Sequence, residues 1–295
     1  MKHVMTISAA LALALTVNAT SAKPLDPAVA EDAILIQQKM TCSTTQGKVI
    51  VHWWEGGMYS RVPGEKDRHL FDIQGMNIRH CQNFEDARRG HGFQSFSREI
   101  MIHLDPATGQ IIDRWRNPWT GEELEVVHVA NDPVNMRAPS YAYDESGKPY
   151  QLQLKLVGDK VMSRSVYPLF YPSPLGGAYQ EWVGGTYQAV EIFGNFYERA
   201  DLFDRRRDTV RQNPLAWSRI SAWLPWMKMG SRPGEIYTST IGGRVDRIDE
   251  LAEPMRTILR ERYPDYTAPP PLGDPRPNET SWTVFQKYLE KKASQ

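Results

Sequence analysis

From Lys48 to Ile241 the chain is a succession of short β-branched and aromatic segments broken by turn residues, with almost no helical pattern between them. Lys48–Trp54 runs into the turn Glu55-Gly56-Gly57 and returns as Met58–Val62, which stops at Pro63-Gly64. Phe93–Leu104 ends at Asp105-Pro106, and Gln110–Trp115 and Glu122–Ala130 flank the turn Asn117-Pro118-Trp119-Thr120-Gly121. Tyr150–Val157 and Val161–Phe170 flank Gly158-Asp159, a hairpin signal; Thr186–Phe196, Ala216–Trp223 and Glu235–Ile241 continue the series. Strands joined by short turns pair antiparallel, because parallel neighbours need a crossover of a dozen or more residues. A meander of about ten strands closes or stacks to hide its edges. The expected fold is therefore mainly β: an antiparallel, calycin-like β-barrel, with a β-sandwich as the alternative.

Helices are expected only toward the chain ends. Asp26-Pro27 supplies an N-cap and a first helical residue, and Val29, Ala33, Ile36 and Met40 follow at helical spacing, which predicts a helix over 27–40. Asp246–Tyr263 is helical in character, residues 264–277 are Pro-rich and extended, and Ser281–Lys292 reads as a short C-terminal helix. With no repeat and no linker before residue 264, residues 23–295 read as a single β-rich domain.

Residues 1–22 read as a secretory signal peptide. Lys2 and His3 precede the apolar stretch Met5–Val17, and Thr20-Ser21-Ala22 offers small residues for cleavage. The expected location is periplasmic or secreted. No later apolar run approaches the ~18 residues of a membrane helix, so no transmembrane segment is expected. The 35 Lys+Arg balance 35 Asp+Glu, which argues against a nucleic-acid partner. Two Cys exclude a disulfide scaffold or a four-Cys zinc site, but an oxidising compartment permits a Cys42–Cys81 bridge, with two buried thiols as the alternative. Gly176-Gly177 and Gly184-Gly185 are turn glycines without the following helix a phosphate cradle needs. No H-x-H or H-E-x-x-H spacing joins the histidines. No cofactor and no metal are expected, and the partner is expected to be a small molecule. The oligomeric state is left open.

The candidate site residues come from strand parity and from aromatic clustering. His128 shares a parity with Leu124 and Val126, which puts an imidazole on an apolar face, either as a proton shuttle or as a core histidine bonded to backbone. Asn131 and Asp132 follow directly, as turn formers or as a barrel-mouth pair orienting His128. Trp115 and Trp119 flank a tight turn, covering a barrel end or bordering an opening. Trp217, Arg219, Ser221 and Trp223 share one parity, and Trp226 follows; an Arg among Trp suits recognition of a carboxylate or polar oxygen. Glu191 shares a parity with Tyr187, Ala189 and Phe193, where desolvation would suit a general acid, against the alternative of a solvated face.

Three segments carry a family resemblance. They are Trp115-x-Asn117-Pro118-x-Thr120-Gly121-Glu122, His128-x-x-Asn131-Asp132-Pro133-Val134, and the long stretch from Trp217-x-Arg219-Ile220 through Trp223-Leu224-Pro225-Trp226-Met227-Lys228-Met229-Gly230 to Arg232-Pro233-Gly234. With Met58-Tyr59-Ser60 and Pro63-Gly64-Glu65, the sequence resembles the domain of unknown function 1838 family of exported bacterial proteins. The resemblance covers most of the mature chain and carries no catalytic residues with it. The function expected is binding of a small apolar or aromatic molecule in a Trp-, Arg- and His-lined barrel cavity. One alternative is a cofactor-independent lyase, isomerase or cyclase using His128, Arg219 and Glu191. Carbohydrate binding is a second.

Overall fold

The computed structural model describes residues 23–172, 186–210 and 214–294. The signal read in residues 1–22 and the turns at Gly176-Gly177 and Gly184-Gly185 lie outside them. Helix α1 (Ala30–Thr41) is followed by β1 (Ile50–Arg61), β2 (Arg68–Asp86), β3 (Gly90–Leu104), β4 (Arg114–Arg116), β5 (Glu123–Glu125), β6 (Val129–Asn131), β7 (Ser140–Tyr141) and β8 (Lys155–Val157). β9 (Lys160–Pro172) and β10 (Thr186–Glu198) lead through the helical turn α2 (Arg199–Leu202) to β11 (Leu215–Ser221) and β12 (Glu235–Val245), then α3 (Met255–Glu261) and α4 (Ser281–Ala293).

The main sheet has the order β6-β3-β2-β1-β12-β11-β10-β9-β8, with β7 also on β3 and the β4–β5 hairpin apart. Its strand pairs are antiparallel, so the fold is mainly β as expected. Among the described residues no backbone pairing joins the two ends of the sheet into a closed barrel.

Three expectations are corrected and one strand is added. Glu55-Gly56-Gly57 is no turn: β1 runs through it, because a Cβ at Gly56 would lie 2.1 Å from the Ser239 carbonyl oxygen and only glycine lets β12 approach so closely. β2, the longest strand at 19 residues, was not foreseen. The predicted helix over 27–40 begins at Ala30, since Asp26 accepts the Ala28 N–H (3.0 Å) in a turn that precedes the helix. Asp246–Tyr263 likewise contains only one short 3-10 turn and α3.

Alternation along the strands separates two faces. Val51, Met76, Ile78, Ile100 and Ile102 pack under Met255, Ile258 and Leu259 of α3. The opposite face carries Trp54, Met58, Phe71, Ile73, Met101 and Trp217. α1 is fixed at its C-terminal end by a Cys42–Cys81 disulfide, with a Cα–Cα distance of 6.1 Å. Its last carbonyls, which a helix leaves without internal partners, are taken by the buried Arg244 guanidinium: Lys39 O (3.2 Å), Met40 O (3.0 Å) and Cys42 O (3.3 Å). Removing that guanidinium strands several acceptors at once. Arg244→Met is expected to cost about 3 kcal/mol in urea unfolding; a loss under about 1 kcal/mol would mean that water replaces the bonds.

Candidate functional site

The face opposite α3 encloses a cavity of about 550 Å³. Every strand of the sheet path except β8 contributes to its lining, from Val129 and Asn131 of β6 at one end to Ser163, Ser165, Tyr167 and Leu169 of β9 at the other. Gln37, Met40 and Thr41 of α1 and the chain from Asn278 to Trp282 at the start of α4 also line it.

Register explains which residues meet there. The cross-strand rung Trp54–Gly75–Met101–Val129 is apolar, and the next, His52–Asn77–Glu99–Asn131, is polar. Gly75 is required in the first: a Cβ there would sit 2.1 Å from Trp54 Cε2, so the indole lies flat over the strand. Across the sheet Glu191 faces Arg219, which faces Thr238. The Arg219 guanidinium donates to the Glu191 carboxylate and to the Tyr187 hydroxyl. Burial lowers the Arg219 pKa, but Tyr187 and Glu191 outweigh it and hold the group charged.

Glu99 has no carboxylate-to-Arg contact of this kind among the described residues; its Oε1 accepts from Asn131 Nδ2 at 3.3 Å. Burial, with help from the nearby Glu191 charge and against Arg219, Arg79 and the Asn131 hydrogen bond, pushes the Glu99 carboxyl up to about 6. It is the cavity group that changes charge near neutrality, as a proton-transferring carboxyl must.

The sequence candidates separate into two places. Arg219, Glu191, Trp217 and Asn131 line the cavity. His128 does not. It is buried beside His103, whose backbone N–H donates to His128 Nδ1 at 3.2 Å, with the two rings stacked 5.6 Å apart. The reason is position along the strands: His103 pairs with Ile73, beyond the Trp54–Gly75–Met101 rung from Glu99. Burial depresses both imidazoles, His128 to about 4. Asp132 does not orient His128 either; its carboxylate binds Arg98 (2.9 Å) and Arg276 (2.8 Å), tying the C-terminal segment down.

Four of the five proposed wall tryptophans are also elsewhere. Trp115 packs edge-on against Trp226 (5.7 Å) and Trp119 against Trp223 (5.0 Å), with Phe71 packed against both Trp115 and Trp226. The buried Asn117 fixes this plug: its Oδ1 accepts the Trp119 N–H (2.9 Å) while Nδ2 donates to Met227 O (3.0 Å). The plug covers one end of the inner face. Trp54 and Trp282 line the cavity instead, alongside Trp217.

A family model described as a protein of unknown function (DUF1838) matches residues 47–289. The chain belongs to the DUF1838 family. No curated protein matches it. The match runs from just before β1 into α4 and so takes in the whole sheet around the DUF1838 cavity. Two of the resembling segments, 115–122 and 217–234, meet in the plug: Lys228, whose left-handed backbone (φ 51°) ends the 3-10 turn Pro225–Met227, donates to Glu122 at 2.8 Å. Among the described residues no three His, Cys, Asp or Glu side chains converge as metal ligands, and no helix is long and apolar enough to cross a membrane.

Proposed function

We propose that this protein is exported and binds one small molecule, with an apolar or aromatic body and a polar group, inside a calycin-like curled sheet. The observation that carries this reading is the cavity itself. Its volume of about 550 Å³ lies in the range of small-molecule sites, and its lining combines apolar and aromatic side chains with charged ones. Contributions from β6 at one end of the sheet and from β9, next to the other, favour a barrel-like curl over two stacked sheets. The pattern of residues 1–22 and the Cys42–Cys81 disulfide favour an oxidising compartment outside the cytoplasm.

Native mass spectrometry of protein purified from the periplasm of its own cells is expected to find an organic ligand. Trp217→Ala is expected to weaken that ligand at least about tenfold, through loss of an aromatic wall. Protein that never retains an organic molecule, with Trp fluorescence indifferent to apolar probes, would sink the reading.

The state of Glu99 favours a second reading, a cofactor-independent lyase, isomerase or cyclase. Glu99 would move the proton, since Glu191 is held by Arg219 and His128 lies outside the cavity. An enzyme would show a pH–rate profile with a limb near 6 that Glu99→Gln abolishes; a carrier would release its ligand unchanged.

A further inference from the structure

We propose that Arg79 is the anion anchor of the cavity, and that the occupant is a carboxylate with an aromatic or apolar body. This names the ligand class of the binding reading above and rests on it.

Four interior or half-buried guanidiniums can be compared. Arg219 is engaged by Glu191 and Tyr187, Arg244 by the carbonyls at the end of α1, and Arg98 by Asp132 and the carbonyls of Asp265 (2.7 Å) and Ala268 (2.8 Å). Arg79 differs. Its Nε donates to Asn77 Oδ1 at 2.8 Å, and among the described residues neither of its Nη groups has a protein acceptor. Those groups belong to a half-buried side chain that lines the cavity. Burial pulls the Arg79 pKa down to about 10, against the attraction of Glu99, so the group is charged at neutral pH and short of solvation.

A charge held in this way without a bonded counter-ion is costly unless something completes it. The guanidinium fork matches a carboxylate with two parallel N–H···O bonds. The charged and titratable groups nearest Arg79 fit such a guest, Arg244 by adding a second positive charge. His52 of β1 is neutral, depressed by burial and by Arg79 itself, and Glu99 of β3 is the carboxyl that takes up a proton most readily.

The apolar half follows from the register. Along β2, Arg79 is four residues from Gly75, about 14 Å at the rise of a strand. The Arg79 side chain itself spans part of that distance. A flat body carried on the carboxylate therefore lies against Met101 and the Trp54 indole, which itself covers Gly75.

The test uses 2-naphthoic acid and its uncharged analogue 2-naphthamide, titrated calorimetrically into the mature protein at low salt. The acid is expected to bind at least about tenfold more tightly than the amide, which corresponds to about one carboxylate–guanidinium contact. Arg79→Gln is expected to bring the acid to the amide's affinity, while Arg79→Lys keeps part of the difference. Acid and amide binding equally to the wild-type protein would overturn the anchor while leaving the cavity reading intact, and needs no variant to fold. Neither probe binding would overturn both.

Discussion

Opening the Cys42–Cys81 bond, by reductant or by the Cys42→Ala, Cys81→Ala pair, is expected to lower the free energy of unfolding by about 4 kcal/mol. The two cysteines are 39 residues apart, so the bridge closes a loop of that order in the unfolded chain, and the chain-entropy relation gives about 4 kcal/mol for such a loop. The native state has reason to lose as much. Both sulfurs are fully buried, and Cys42 is the C-cap residue of α1. The bond therefore fixes the end of a helix whose Gln37, Met40 and Thr41 form part of the cavity lining. Urea denaturation with and without reductant measures the loss; a change under about 1 kcal/mol would show that the bridge constrains neither state. Arg244 holds the same helix end through its carbonyls. Arg244→Met and the alanine pair should therefore not add, since they share one structural unit.

How much of this could be read from the sequence depends on which link of the chain is asked about. Residues two apart in a strand share a face, so alternation placed Trp217, Arg219 and Ser221 together and Tyr187, Glu191 and Phe193 together. It could not say that β10 and β11 are neighbours in the register that sets Glu191 opposite Arg219. β2 escaped because its inward residues include Gly75, Asn77 and Arg79. A polar face reads the same whether it meets bulk water or a solvated cavity. Glu99 was missed for that reason too: Ser95, Ser97 and Glu99 at one parity of β3 look like a solvated edge. The tryptophans mislead in the opposite direction. Aromatic density marks either a ligand wall or a packed end, and here Trp115, Trp119, Trp223 and Trp226 close the end while Trp54, Trp217 and Trp282 face the space. The signal that separates the two is local. Asn117 inside an Asn-Pro-Trp-Thr-Gly turn is a turn former whose side chain is used up by backbone.

Lowering the pH from 7 to 4.5 is expected to reduce stability, and the sign follows from the buried imidazoles. His52, His103 and His128 are each less than a tenth exposed, and burial is the first cause that drives their pKa values down. His128 titrates near 4, and the other two lie well below the ordinary value of 6.5. Between those values and 6.5 the unfolded chain binds protons that the folded chain refuses. Their contribution is therefore complete above pH 6.5 and is lost as the pH falls, at up to about 1.4 kcal/mol per pH unit for each group. Glu99 works the other way. Raised to about 6, it takes a proton in the folded state before the unfolded one, and so returns about 2 kcal/mol as the pH passes from 6 to 4.5. His80, also lowered by burial, acts in the same sense, so four imidazoles outweigh one carboxyl, which fixes the net direction. Asp86 and Asp204, held near 2 by backbone and Arg hydrogen bonds, lose their contribution only below the ordinary aspartate value and stay outside this window. Urea midpoints at pH 7.0, 5.5 and 4.5 test the slope. The His103→Phe, His128→Gln pair should flatten it, because the paired imidazoles whose Nδ1 atoms lie 3.3 Å apart cannot both accept protons without facing each other as like charges. A wild-type stability that is level from 7.0 to 4.5 would mean that these rings are hydrated in the folded protein, and with that the packed aromatic plug that buries His103 against Phe71 and Trp226 would have to be abandoned.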